Sequence, residues 1–157
     1  VLFRSVTEIN SWVLVRPNDD VVIRIARSEM GQGTLTGLAQ LVAEELDADW
    51  SKVRTEHVLP GQSLANKRVW GDMSTGGSRG IRTSHDYVRR AGAAAKIMLV
   101  QAAANEWKVP AGELTVDKGV ITHKASGRST TYGKVADAAA KITPPELKTI
   151  KLRDPRQ

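Results

Sequence analysis

The chain has 157 residues, 41% of them hydrophobic and 25% charged, with a net charge of +6 and a pI near 9.8, which fits one soluble globular domain, or one piece of a larger one, rather than a disordered segment. It has no cysteine, so disulfides, a thiolate nucleophile, Cys-ligated zinc and an iron–sulfur cluster held by this chain are excluded. No apolar run approaches the roughly 20 residues needed to span a bilayer, and the basic balance permits nucleic acid, an anionic membrane surface or a phosphorylated ligand without choosing among them.

Val1-Leu2-Phe3-Arg4-Ser5 resembles the translation of a sequencing-adapter oligonucleotide and is set aside as an artefact, so the true amino terminus and any export signal are expected to be missing. Ser11 to Ile25 reads as a β-hairpin, with β-branched runs on either side of Pro17-Asn18-Asp19-Asp20. Leu35, Leu38, Ala39, Val42 and Leu46 recur at helical spacing, which places Glu44, Glu45 and Asp47 on or near the solvated face. Val53 to Leu59 is a strand ended by Pro60-Gly61.

No period holds from Gly61 to Arg82, a stretch that contains Asn66, Trp70 and Asp72 and reads as a binding loop. Thr83 or Ser84 caps a long helix whose Ala-rich flank, Ala91 to Ala95, suits close approach of another backbone. Leu114 to His123 makes a second hairpin, Tyr132 to Lys141 a last helix capped by Thr130 or Thr131, and the polar segment after Pro144-Pro145 a linker. The expected fold is α+β: two β-hairpins and an extra strand with three helices. The expected division is 1–5 artefact, 6–143 one partial domain and 144–157 linker.

Two glycine turns stand at the start of helices: Met30-Gly31-Gln32-Gly33 after the first hairpin, and Gly76-Gly77-Ser78-Arg79-Gly80 before the long helix. Bare backbone at a helix start lets an anionic or planar ligand approach N–H groups, and Gln32 offers both a donor and an acceptor. Arg79, Arg82, Arg89 and Arg90 within or just after the second turn add guanidinium groups suited to a pyrophosphate. The competing reading is that both turns only reverse the chain and satisfy their N–H groups internally. His57, His85 and His123 lack the spacing of a metal site, no serine carries a nucleophile motif, and no carboxylate pair stands out. A basic nucleic-acid-binding module also stays open, although Phe3, Tyr87 and Tyr132 do not cluster with the basic residues.

Ser28-Glu29-Met30-Gly31-Gln32-Gly33, Val42-Ala43-Glu44-Glu45-Leu46, Asp49-Trp50-Ser51-Lys52-Val53 and Gly76-Gly77-Ser78-Arg79-Gly80, in that order, resemble the molybdenum-binding large subunit of the xanthine oxidase family. The similarity is greatest to isoquinoline 1-oxidoreductase beta subunits and related bacterial aldehyde dehydrogenases, and it covers Ile9 to about Arg156. The resemblance implies part of a larger molybdopterin-binding domain, a molybdenum–molybdopterin cofactor in the cytosine dinucleotide form usual in bacteria, and hydroxylation of an aldehyde or N-heterocycle with oxygen from water. It also implies an iron–sulfur small subunit as partner, no nucleic acid, a membrane-bound cytochrome as acceptor, and a periplasmic location, with a cytoplasmic one otherwise.

Residue by residue, the resemblance implies cofactor contact for Met30, Gly31, Gln32, Gly33, Gly76, Gly77, Ser78, Arg79 and Gly80. The stretch from Arg82 to Arg90 departs from better-known members and leaves the role of Arg82 open. The family's catalytic glutamate and its Phe-Gly-Gly segment have no counterpart here, so this portion alone would not turn over. One shared cofactor also requires the two glycine turns to lie together in the fold.

Overall fold

Val13–Val15 (β2) and Val21–Ile25 (β3) are β-branched runs that pair antiparallel, Val13 opposite Ile23 and Val15 opposite Val21. A computed structural model describes residues 6–154 and 156; the reading of Val1 to Ser5 as an artefact lies outside the described residues. Thr7–Glu8 (β1) adds an edge to β2, and Val53–His57 (β4) pairs parallel with β3, giving a four-stranded sheet in the order β1-β2-β3-β4. A parallel neighbour needs a crossover, and Thr34–Leu46 (α1) supplies it. As an inner strand beside β2, β3 is buried at every position but Arg24.

Leu38, Ala39, Val42 and Leu46 of α1 face the core as their spacing predicts. There α1 crosses the long helix His85–Trp107 (α4) so closely that a Cβ on Gly92 would stand 2.6 Å from the carbonyl oxygen of Val42. The Ala-rich flank of α4 therefore does serve close backbone approach.

The second hairpin, Leu114–Asp117 (β5) and Val120–His123 (β6), gains a third strand, Arg128–Thr131 (β7). The sequence did not announce β7, because Arg-Ser-Thr-Thr is polar and only half buried. Tyr132–Ala139 follows as a helix; its Thr131 cap position makes no side-chain hydrogen bond, and the Tyr132 hydroxyl donates to the Leu46 carbonyl at the end of α1. The whole is mixed α+β, as expected.

The stretch from Gly61 to Arg82 is more ordered than its lack of period suggests. It contains Pro60–Ala65 (α2) and the single turn Arg79–Arg82 (α3). Trp70 is 2% exposed and donates to the Ser11 carbonyl, and Asn66 bonds the Gln62 carbonyl at the end of α2. Trp70 therefore anchors the segment to the body, while Asn66 only closes α2 locally. With α5 taken as the helix at Tyr132–Ala139, no helix among the described residues is long and apolar enough to cross a membrane.

The polar tail is docked against the body. The Arg90 guanidinium donates to the carbonyls of Leu147 and Ile150, and Arg153 pairs with Glu44 and Asp47. Glu45, expected on the solvated side, is instead 4% exposed and pairs with Arg89 at 2.6 Å while accepting the Arg153 N–H. The covering segment lies more than 100 positions away in sequence, so helical periodicity carried no sign of it.

Candidate functional site

The first glycine turn leaves β3 and enters α1 with Gly31 at φ 90° and Gly33 at φ 79°, left-handed values that favour glycine. Glu29 fills its concave side. One carboxylate oxygen accepts the N–H groups of Gly31 at 2.7 Å and Gly33 at 3.0 Å, and the other accepts Leu35 N–H at 2.9 Å. These backbone donors, Leu35 foremost, hold the carboxyl below its usual 4.5. Gln32 also folds inward, accepting the Met30 N–H at 2.6 Å and donating to the Ser28 carbonyl at 2.8 Å and the Thr34 hydroxyl at 3.0 Å.

The expectation that these N–H groups and the Gln32 amide stand free for an anion is thus corrected: an internal carboxylate holds the first, and the turn's own backbone the second. What the turn presents outward is the glycine backbone and the Met30 side chain, 70% exposed.

The second turn is built the opposite way. Gly77 at φ 55° and Ser78 at φ 56° hold two successive left-handed residues at its tip. Among the described residues the N–H groups of Gly76, Gly77 and Ser78 have no protein acceptor. A Cβ built on Gly76 or Gly77 would meet nothing within 4 Å, so both present open backbone at the surface.

The two turns adjoin, as a shared site requires. Ser28 N–H donates to the Thr75 hydroxyl at 2.9 Å, and a Cβ on Gly80 would stand 2.9 Å from the Thr34 hydroxyl oxygen. Gly80 is itself buried, so it sets how closely α3 packs on the start of α1.

The residue that closes the second loop was not singled out from sequence. Arg27, 4% exposed, donates from Nε to the Ser84 hydroxyl at 3.0 Å and from Nη2 to the Thr83 hydroxyl at 3.0 Å. Its Nη1 reaches the Ser74 carbonyl and an Asp72 carboxylate oxygen at 3.4 Å. Thr83 and Ser84, expected as helix caps, therefore spend their hydroxyls on Arg27, and α4 starts without a side-chain cap. The Ser74 hydroxyl and N–H, with Arg27 behind them, lower the Asp72 carboxyl from the usual 3.8 to about 2.

Of the arginines expected to form an anion site, Arg79 stays in the loop, 3.7 Å from Asp72 and bonded to Ser74 and Gly76, and Arg82 approaches the Gly77 carbonyl. Arg89 and Arg90 are turned away, to Glu45 and to Asp86 with the tail carbonyls. Glu29 carried a readable signal, an acid just before a helix start; Arg27 carried none, since its partners lie 45 to 57 positions ahead.

A cleft of about 510 Å³ is lined by Lys96, Ile97, Leu114, Ile150 and Arg153 among others and shares no residue with the glycine turns. His123 is buried between Ser126 and Glu113. No group of three or more His, Asp or Glu among the described residues could hold a metal ion directly.

Comparison with known proteins adds the following. The model of a family described as "Molybdopterin cofactor-binding domain" matches residues 3–153. The chain is 43% identical over 127 residues to isoquinoline 1-oxidoreductase subunit beta of Brevundimonas diminuta, covering 80% of this chain and 16% of that protein. It is 31% identical over 145 residues to a membrane-bound aldehyde dehydrogenase [pyrroloquinoline-quinone] of Gluconacetobacter polyoxogenes, covering 90% and 18%. Among solved structures, CO dehydrogenase from Oligotropha carboxidovorans has a similar fold, with a TM-score of 0.58 at 24% identity over 80% of this chain and 15% of the other. Quinoline 2-oxidoreductase from Pseudomonas putida 86 gives 0.57 at 20% identity over 86% and 17%. The chain thus spans under a fifth of the length of each of these relatives.

Proposed function

The chain belongs to the molybdopterin cofactor-binding domain family, among xanthine oxidase-type large subunits, and from that premise we propose that it is the cofactor-holding portion of a molybdenum hydroxylase that oxidises aldehydes or N-heterocycles with oxygen from water. One observation carries the reading: two adjoining turns expose glycine backbone on one surface, and the N–H groups of Gly76, Gly77 and Ser78 have no acceptor among the described residues. Open N–H groups beside Arg79 and Arg82 suit the anionic oxygens of a pterin phosphate.

When bound, that group supplies the redox centre that takes electrons from the substrate. The chain's own residues bind and orient it. Gly76 and Gly77 leave it room, Ser78 and Arg79 donate hydrogen bonds, and Gly80 holds the loop close to α1. Gly31 and Gly33, with Gln32 tying their turn, present a fixed edge beside Met30.

From the family resemblance we further propose the cytosine dinucleotide form of the cofactor, an iron–sulfur small subunit as partner, a membrane-bound cytochrome as acceptor and a periplasmic location. We further propose residues 6–143 as the body of this portion and 144–157 as a connecting segment, packed on that body through Ile150 and Arg153. A purely structural role is favoured for one element, the first turn's N–H groups, because Glu29 satisfies them. A nucleic-acid surface gains no support, since the family match and the relatives point to a cofactor-binding domain.

The test is molybdenum and pterin content per folded full-length subunit for the native sequence and for Gly77→Val. A branched Cβ on a left-handed residue strains the tip and projects into the open surface, so loading falls to background while circular dichroism keeps the fold. Arg128→Ala, at an exposed position, is the control. Arg24 would be a poor one, because it pairs with Glu8 and Glu56 and lies over the Trp70 ring. Full loading of a well-folded Gly77→Val subunit contradicts the assignment of this loop.

A further inference from the structure

We infer that Arg27 is a positioning residue for the cofactor loop, a buried fork that fixes both ends of the segment from Asp72 to Ser84 and so sets where Gly76, Gly77 and Ser78 stand. The inference rests on the cofactor reading above and adds a residue that is outside the glycine motifs.

A guanidinium has five N–H donors in a rigid plane, and Arg27 aims four of them at this one segment. Two reach its start, at the Ser74 carbonyl and Asp72, and two its end, at the Thr83 and Ser84 hydroxyls. Bringing a cation to 4% exposure is costly unless its donors are met. Between those anchor points the tip itself is open: the N–H groups of Gly76, Gly77 and Ser78 are unpartnered among the described residues, and a Cβ on Gly76 or Gly77 would meet nothing within 4 Å. The other ties of the segment are the Ser28–Thr75 bond, the Arg79 and Arg82 side chains and the packing of Gly80 on Thr34.

Position in the chain strengthens the argument. Arg27, Ser28 and Glu29 are consecutive and follow β3 within four residues. Arg27 holds the ends of the second loop, Ser28 bonds Thr75 inside it, and Glu29 shapes the first turn. Three adjacent residues just beyond β3, of which Arg27 is buried, thus tie both turns to one support, which is what a bound group spanning both turns requires. Asp72 stays ionised well into acid, so its half of the clamp is not switched by ordinary pH.

Lysine keeps the charge but not the planar fork, because its three donors radiate from one atom. The experiment uses the full-length, cofactor-loaded subunit with Arg27→Lys and, as a milder variant, Thr83→Val. It reads two quantities: amide hydrogen exchange in residues 72–84 against that in α4, and the rate of pterin release followed by fluorescence of the oxidised pterin. Arg27→Lys is expected to speed exchange in the loop by roughly 10- to 100-fold, leave α4 unchanged, and speed pterin release at least roughly tenfold. Thr83→Val acts in the same direction by a few fold.

Unchanged exchange in the loop overturns the inference. So does faster loop exchange with unchanged pterin release, or an equal rise in α4 and the loop, which would make Arg27 a general stabiliser. Should Arg27→Lys fail to fold, Thr83→Val decides by the same criteria. A native subunit that carries no pterin would instead overturn the cofactor reading itself, and this inference with it.

Discussion

Replacing Gly80 by alanine should separate the two glycine turns without touching the open loop. An ideal Cβ there lies 2.9 Å from the Thr34 hydroxyl oxygen and 3.1 Å from its methyl, where ordinary contact begins at 3.4 Å. Thr34 is buried and its hydroxyl accepts from Gln32, so it cannot simply rotate away. Relief requires α3 to back off α1 by about half an ångström, and overpacking of this kind costs about 1–3 kcal/mol. Alanine in place of glycine in the single turn of α3 returns at most about 1 kcal/mol, so a mid-range cost of about 2 kcal/mol leaves a net loss of about 1–2 kcal/mol.

Denaturant unfolding of the full-length subunit measures it, with Gly76→Ala as the comparison, because that Cβ meets nothing within 4 Å. Adding Thr34→Ala should recover most of the loss, since the remaining contact, to the Thr34 Cβ, is an ordinary 3.6 Å. If Gly80→Ala proves as neutral as Gly76→Ala, or if Thr34→Ala rescues nothing, the close packing of α3 on α1 is not what joins the turns.

Three further outcomes follow from the same geometry. Gly92→Ala should cost at least about 3 kcal/mol, because its Cβ would meet the Val42 backbone at 2.6 Å and neither helix can yield locally; a thermal melt shifted by no more than a surface substitution would contradict this. Glu29→Gln should speed exchange of the Gly31, Gly33 and Leu35 amides several-fold while leaving β3 protected, since an amide cannot accept at both oxygen positions; unchanged exchange would show that the carboxylate is not what holds the turn. The Asp72 carboxyl is lowered in the folded state from 3.8 to about 2, so its contribution to the loop is complete above about pH 4.5 and is lost as pH falls through the folded value. Loop exchange, corrected for intrinsic rates, should then be flat from pH 5 to 8, and a loosening within that window would count against the Arg27 and Asp72 arrangement.

Elements whose residues are self-consistent were legible in the sequence. The valine-rich strands at Val13–Val15 and Val21–Ile25, α1 and α4 all declare themselves by period and β-branching. So did the location of both glycine turns at helix starts. Features that depend on distant partners were not. Glu45 looks solvated until the tail covers it, Arg27 looks like a strand-end surface charge until the loop folds over it, and the N–H groups of Gly31 and Gly33 look free until Glu29 is seen to turn back. Polar β7 and the single-turn α3 fall below the length at which periodicity can speak.

The central claim is that the Gly76–Ser78 loop lies against the molybdenum–pterin group. A crystal structure of the loaded full-length subunit, with anomalous scattering recorded at the molybdenum edge, tests it most directly. The account predicts the pterin's anionic oxygens within hydrogen-bond distance of the N–H groups of Gly76, Gly77 or Ser78, with the Glu29 carboxylate still on Gly31 and Gly33. A fully occupied cofactor with no atom in contact with residues 76–80 would contradict it.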